Sequence, residues 1–156
     1  MRKLLEQSVL AFTTAAIATA ATFAAWAEPG ISECGGPARV DAIIEPWSEA
    51  TRTFASGKIR IIALDTAEPA CCSFHLAIIA PNPQDEMGLR QCVTLNDGGE
   101  WTGFQFVDVK ATRSSYDPGR GLLLSIPVER YIDGIRSTKL TVDVRINQAT
   151  GDITIE

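Results

Sequence analysis

Residues 71–80 read CCSFHLAIIA, and the alternation in this stretch decides the fold class. Every second residue from Cys72 to Ile78 is apolar. These side chains share one face of an extended chain, because successive residues of a β-strand point to opposite faces. We therefore predict a central core strand over residues 72–80. The opposite face, which carries His75, is expected to be accessible to solvent.

Similar apolar or alternating segments occur along the rest of the chain, separated by turn sequences such as NDGG and DPGRG. There are about nine strand candidates: 40–44, 50–54, 59–65, 72–80, 90–95, 104–109, 111–116, 122–128 and 139–146, with a final hairpin onto Ile153 and Ile155. We predict no helix beyond an N-terminal signal helix. The pattern is typical of an all-β domain, an antiparallel β-sandwich or small barrel of about eight or nine strands.

The first residues indicate export. Arg2 and Lys3 precede an uncharged run from residue 9 to residue 26, and a small-x-small sequence ends at Ala27. This combination is typical of a secretory signal peptide that is removed from the mature protein. The alternative is a membrane anchor, because the run is just long enough to span a bilayer. The many alanines and threonines of the run, and Pro29 directly after it, favour the signal peptide.

We therefore divide the chain into a cleavable signal peptide (1–27), an extended N-terminal segment (28–39) and a single β-domain (40–156). The mature protein is expected to be periplasmic or secreted, without stable membrane insertion after cleavage. The formal net charge of −5 argues against nucleic acid as a partner, since phosphate binding needs a basic face. We expect the partner to be an envelope protein or a small ligand instead.

Four cysteines, Cys34, Cys71, Cys72 and Cys92, follow the signal peptide. An even number in an exported chain indicates two disulfides. A bond between Cys71 and Cys72 would require an eight-membered ring, so we expect each to pair with Cys34 or Cys92. If residues 72–80 and 90–96 form a simple hairpin, Cys92 falls opposite about residue 77. Then either these strands are not neighbours, or Cys92 bonds elsewhere.

Neither a metal nor a cofactor is expected. Zinc sites and haem attachment use cysteine pairs with two or more residues between them, and the sequence has no C-x-x-C. Blue copper needs two histidines, whereas His75 is the only histidine in the chain.

No complete catalytic constellation is evident, so we predict no catalytic residues. Ser73 and His75 share one strand face at about 7 Å, which is beyond hydrogen-bond reach. His75 is therefore expected to be structural or exposed. Trp101, in a glycine-rich loop, and Trp47, after Pro46, are expected either to fold back over the core or to present a flat apolar face to a ligand. Trp101, Trp47 and His75 are the candidate ligand or partner contacts.

Two stretches, ATRTFASGKIRIIALDTAEPACCSFHLAI (residues 50–79) and SYDPGRGLLLSIPVERY (residues 115–131), resemble a family of small secreted bacterial proteins with no assigned activity. The resemblance implies a secreted, cysteine-containing protein. Our leading hypothesis is an exported, disulfide-stabilised β-domain that acts as a binding or structural module rather than as an enzyme. The alternatives are a small hydrolase in which carboxylates converge on His75, and a thiol-redox or metal-handling protein that uses Cys71 and Cys72.

Overall fold

The computed structural model describes residues 27–69, 71–132 and 135–156. Within these ranges the chain forms ten strands and one short α-helix, α1 (Trp47–Ala50), with a 3-10 turn at Val40–Ala42. The strands are β1 (Gly30–Glu33), β2 (Thr51–Phe54), β3 (Ile59–Asp65), β4 (Phe74–Pro81), β5 (Arg90–Asn96), β6 (Phe106–Val107), β7 (Arg113–Asp117), β8 (Gly121–Tyr131), β9 (Ser137–Ile146) and β10 (Ile153–Ile155). The predicted all-β class is confirmed. The predicted signal peptide, apart from Ala27, lies outside the described residues.

The strands form two antiparallel sheets. The first sheet has the order β1-β5-β4-β3-β2, and the second has the order β10-β9-β8-β6, with β7 also pairing with β8. The β4–β5 hairpin places Ile79 opposite Cys92. β1 pairs with the other edge of β5, so part of the segment 28–39 belongs to the first sheet. The long β8–β9 hairpin forms the centre of the second sheet.

The core lies between the two sheets and follows the predicted alternation. Leu76 and Ile78 of β4 are fully buried, as are their counterparts on β3, β8 and β9: Ile59, Ile61, Leu124, Ile126 and Val144. Phe74, at the start of β4, exchanges two backbone hydrogen bonds with Phe104, whose side chain is also fully buried. The two sheets are also linked by Arg130 of β8, whose Nε donates to Asp97 Oδ1 at 2.7 Å and to Oδ2 at 3.0 Å.

The outer face of β4 is buried at His75 and Ala77, so the prediction that this face is accessible to solvent was wrong there, whereas Ile79 is half-buried. Ala77 is buried in a second apolar cluster with Leu64 and Ala42. The cover comes from residues 34–43, which return across the outer face of the first sheet and form a β-bridge from Ile43 to Leu64. The strand pattern of residues 72–80 could not reveal a segment that arrives from a distant part of the chain.

Several predictions for individual elements were wrong. The strand predicted over residues 104–109 is reduced to β6, and the prediction of no helix beyond the signal is contradicted by α1 (Trp47–Ala50). Residues 40–44 contain a 3-10 turn instead of a strand, because only Ile43 forms a bridge to a neighbouring strand. β4 begins at Phe74 and not at Cys72. The backbone of Cys72 has φ +69°, a left-handed conformation that interrupts an extended chain. No helix in the described ranges has the length and apolarity needed to cross a membrane.

Candidate functional site

The first disulfide joins Cys34 to Cys92. β1 runs antiparallel to β5, and Cys34 directly follows β1, so it arrives opposite Cys92 with its N–H donating to the Cys92 carbonyl at 3.0 Å. The Cα atoms are 5.3 Å apart, within the usual range for a disulfide. Two disulfides were predicted, and all four cysteines are paired. The predicted partners were wrong, because the chain leaving β1, and not the loop before β4, supplies the partner of Cys92.

The second disulfide joins Cys71 to its neighbour Cys72. Both residues are half-buried in the loop that leads into β4. The expectation that each would bond to Cys34 or Cys92 fails, since the bond from Cys34 to Cys92 leaves Cys71 and Cys72 only each other. The Cys72 carbonyl lies against Gly103, where a Cβ would come within 2.1 Å of the oxygen.

His75 is a buried structural residue with 1% of its surface exposed. Its Nδ1 donates to Asn96 Oδ1 at 2.8 Å, and Asn96 Nδ2 in turn donates to Ser32 Oγ at 2.9 Å. Within the described part of the chain, His75 Nε2 is buried without a hydrogen-bond partner. Burial disfavours the charged imidazolium and lowers the pKa of His75, although the Asn96 hydrogen bond and the charge of Glu68 act in the opposite direction. The expectation that His75 is accessible to solvent was wrong, because its ring is buried and hydrogen-bonded to Asn96 of β5.

This geometry does not assemble a hydrolytic site around His75. The side chain that bonds the ring is the amide of Asn96 and not a carboxylate. A general base needs hydrogen-bond reach to its proton donor and to an orienting group, and a ring that is 1% exposed is not in a cleft.

The two tryptophans lie on the surface in the described structure. Trp101 is 67% exposed, and its ring rests on the backbone of Gly36, where a Cβ would come within 1.8 Å of the ring. Trp47 begins α1 and is 50% exposed. Neither residue belongs to the buried core clusters, so the expected lid over the core is not formed.

An apolar groove lies on the outer surface of the first sheet, and the sequence analysis did not identify it. One wall is the covering segment 38–43, and the floor is formed by β3, β4 and β5. The groove has a volume of about 170 Å³ and is lined by Ala38, Arg39, Val40, Ile43, Ile62, Leu64, Ala77, Ile79 and Cys92. Val40 is 74% exposed at the rim. We call this surface the groove face.

Two arginines lie at the Ile79 end of the groove face. Arg60 of β3 lies directly opposite Ile79 in the strand register, so both side chains project from the same side of the sheet. Arg90 of β5 donates from Nη2 to the carbonyls of Lys58 and Ile79, the latter at 3.2 Å. Among the described residues, neither Arg60, Arg90 nor Lys58 forms an ion pair with a carboxylate. Arg90 is oriented by carbonyls and Arg60 Nη1 lies 3.5 Å from Thr51 Oγ1, and these neutral partners leave both charges in place.

The groove was predictable only in part. Alternation in residues 59–65 places Arg60 and Ile62 on one face, so a mixed apolar and basic surface was visible in the sequence. The wall contributed by residues 38–43 was not, because its position depends on the β-bridge of Ile43 and the disulfide of Cys34.

The acidic side chains of the described residues do not form a metal centre. No group of three or more histidine, cysteine, aspartate or glutamate residues in those ranges has the geometry to hold a metal ion. A charge cluster beside the second sheet joins Glu156 to Arg145 of β9 and to Arg120 in the turn before β8. Hydrogen bonding from Arg145 lowers the pKa of the Glu156 carboxyl, as expected for a satisfied ion pair.

Comparison with known proteins gave no match to a protein-family model, to a curated protein or to a solved structure. The functional argument therefore rests on the geometry of the chain itself.

Proposed function

We propose that the protein is an exported, disulfide-stabilised β-sandwich domain that acts as a binding module, and that the groove face is its binding surface. The fold and the disulfide of Cys34 and Cys92 support the domain part of this proposal. Disulfides persist in oxidising compartments, which fits an extracytoplasmic protein. Binding is the function best supported by a rigid surface with concave apolar and charged features.

One observation supports the groove face as the binding surface. Two arginines that have no carboxylate partner among the described residues, Arg60 and Arg90, lie at the Ile79 end of an apolar groove, in a chain whose formal net charge is −5. An excess of basic residues in the chain therefore does not explain why these arginines lie beside the groove. Unpaired charges beside exposed apolar surface add little to folding stability, whereas they add both steering and specificity to an association.

The test uses the exported protein and two variants as baits and compares the envelope components that each bait captures. Val40→Glu combined with Arg60→Glu changes the groove face at one exposed and one half-buried position. Arg113→Glu makes a matched charge reversal on exposed β7 of the second sheet. We expect at least one protein or ligand to be retained by the unchanged protein and by Arg113→Glu but lost from the groove variant. Identical retention on all three would contradict the proposal, provided that all three unfold at similar denaturant concentrations.

The half-buried bond between Cys71 and Cys72 supports a second candidate function, thiol–disulfide exchange. A partner dithiol would be oxidised to a disulfide while this bond is reduced to two thiols, so electrons and protons balance. The test is graded reduction with a soluble dithiol, followed by alkylation and mass analysis. Reduction of Cys71 and Cys72 before Cys34 and Cys92 supports this activity. Simultaneous reduction, or the reverse order, excludes a preferential site.

A further inference from the structure

An open cleft lies at one end of the first sheet, between the turn that joins β2 to β3 and the loop that joins β4 to β5. Its volume is about 450 Å³, and both Lys58, in the turn, and Arg90, at the start of β5, line it. We infer that this cleft binds the phosphate group of a phosphate monoester, with Lys58 and Arg90 as the cationic ligands. The inference goes beyond the proposed function, because no residue lines both the cleft and the groove.

Positive charge is concentrated at this end of the sheet. Arg90 reaches across β4, so that its Nη2 donates to the Ile79 carbonyl at 3.2 Å and to the Lys58 carbonyl at 2.6 Å. Arg60, two residues after Lys58, lies opposite Ile79 in the strand register. None of these three cations forms an ion pair with a carboxylate among the described residues. Neighbouring like charges repel each other, and a bound anion relieves that repulsion.

The side chains that line the cleft retain hydrogen-bond donors for a ligand. Arg90 uses only its Nη2 in hydrogen bonds within the described chain, which leaves the N–H groups of Nη1 and Nε. The ammonium group of Lys58 forms no hydrogen bond or ion pair in the same ranges. Asn82, which also lines the cleft, accepts at Oδ1 from the Gln84 N–H at 3.1 Å, so its Nδ2 is a further donor. An anion with several oxygens matches this set of donors.

The backbone around the cleft is held in place by hydrogen bonds from outside it. Gln91 Nε2 donates to the carbonyl of Pro81 at 3.0 Å and to that of Gly151 at 2.6 Å, which ties the β4–β5 loop to the turn between β9 and β10. The acidic residues of this loop, Asp85 and Glu86, do not line the cleft. The ordering cost of binding therefore falls mainly on the two cationic side chains.

The donors and the volume of the cleft favour a phosphate monoester. A guanidinium group donates two parallel hydrogen bonds to an oxyanion, and a phosphate has a third oxygen that can accept from the Lys58 ammonium at the same time. A carboxylate has one charge and only two oxygens. Small-molecule sites have volumes of about 300–1,000 Å³, so a cleft of about 450 Å³ has room for the organic skeleton attached to the phosphate. Pro81 and Pro83 provide apolar surface for that skeleton.

The experiment measures binding of glucose 6-phosphate and glucose 6-sulfate to the purified exported protein by titration calorimetry. We expect saturable binding of the phosphate with a dissociation constant of about 1 mM or lower. This binding should weaken by about fourfold between about pH 7.5 and pH 5.5, because a phosphate monoester has its second pKa near 6 and loses a charge. The sulfate is a monoanion throughout, so it should bind more weakly and without this pH dependence. Equal binding of the two compounds, or no saturable binding of the phosphate, would overturn the inference.

Protein variants locate the bound phosphate. Lys58→Gln and Arg90→Gln should each raise the dissociation constant of glucose 6-phosphate by up to about fivefold, the usual range for one exposed ion pair. The double variant should raise it by about tenfold or more if the two contributions add. Arg113→Gln removes an exposed charge from β7 of the second sheet and should leave the dissociation constant unchanged. If Lys58→Gln and Arg90→Gln have no more effect than Arg113→Gln, the inference is wrong.

A further arm distinguishes two sources of the phosphate monoester, a soluble compound and a lipid headgroup. It uses phosphatidylcholine vesicles with and without phosphatidic acid, whose headgroup is a phosphate monoester. Binding only to the vesicles with phosphatidic acid, reversed by glucose 6-phosphate, supports the site and assigns it to a lipid headgroup. Binding of glucose 6-phosphate without vesicle binding supports the site and assigns it to a soluble compound. If neither binds while envelope capture still depends on the groove variant, this inference fails and the proposed binding function stands.

Discussion

His75 shows how the surroundings of one residue set its chemistry. Its ring is buried, donates from Nδ1 to Asn96 and leaves Nε2 without a partner. Because Asn96 donates from Nδ2 to Ser32 Oγ and to the Thr94 carbonyl, its Oδ1 is held in position to accept from the histidine. The arrangement suits a neutral imidazole. A protonated ring would place a second donor, Nε2–H, in a site that offers it no acceptor.

We predict that acid destabilises the fold through His75. The pKa of His75 is lowered in the folded state, so the unfolded chain binds the proton more readily. The stabilisation is fully present above the unfolded pKa of about 6.5 and is lost as the pH falls below it, by at most about 1.4 kcal/mol per pH unit. His75 is the only histidine, which leaves no other side chain of ordinary pKa near this window. Denaturant melts between about pH 7 and pH 5.5 measure the effect.

The control for this prediction is His75→Gln, which keeps an amide donor for Asn96 but does not titrate. Its free energy of unfolding should change little over the same pH range. An equal pH slope in the two proteins would show that another group is responsible.

At the scale of elements, β4 is a strand covered on both faces. Leu76 and Ile78 face the second sheet, whereas Ala77 packs against the covering segment. His75, on the same side as Ala77, is buried and hydrogen-bonded to Asn96. A strand buried on both sides is usually a continuous apolar run, and residues 76–80 read LAIIA. This apolar run indicated two buried faces, but the alternation in residues 72–75 led to the prediction of one exposed face.

We predict that Ala77→Asp lowers the free energy of unfolding by about 3 kcal/mol or more, because an unpaired carboxylate would be buried against Leu64 and Ala42. Thr141→Asp, at an exposed position of β9, should cost no more than about 1 kcal/mol, the span of strand propensities. Urea melts of both variants provide the comparison. An equally mild effect of Ala77→Asp would mean that residues 34–43 do not cover this face.

At the scale of the whole molecule, the two disulfides differ in what they constrain. Cys34 and Cys92 are 58 residues apart in sequence, whereas Cys71 and Cys72 are 1 residue apart. Cross-linking a longer loop removes more entropy from the unfolded chain. The first bond also holds the start of the covering segment against β5, so it supports the wall of the groove.

We predict that replacing Cys34 and Cys92 together with serine lowers the free energy of unfolding by about 4 kcal/mol, and that replacing Cys71 and Cys72 together costs no more than about 1 kcal/mol. Denaturant melts of the two double variants measure the difference. Comparable losses would show that the bond between Cys71 and Cys72 has a stabilising role beyond chain entropy.

Local sequence determined the strand content of this protein. The alternation of Ile59, Ile61 and Ala63 predicts the buried face of β3, and the turn sequences NDGG and DPGRG mark the ends of β5 and β7. These signals are readable because side-chain direction and turn conformation depend on neighbouring residues. The four cysteines likewise indicated two disulfides.

Only the tertiary structure decided the disulfide partners, the burial of His75 and the existence of the groove face. The disulfide partner of Cys92 and the groove face depend on the return of residues 34–43 across the first sheet, where Cys34 meets Cys92 and Ile43 meets Leu64. The buried position of His75 depends on its approach to Asn96 of β5. Such contacts join residues far apart in sequence and form only when both partners are already placed on neighbouring strands. A periodic pattern specifies which way a side chain points, whereas the cover over that side chain is specified by the path of the rest of the chain.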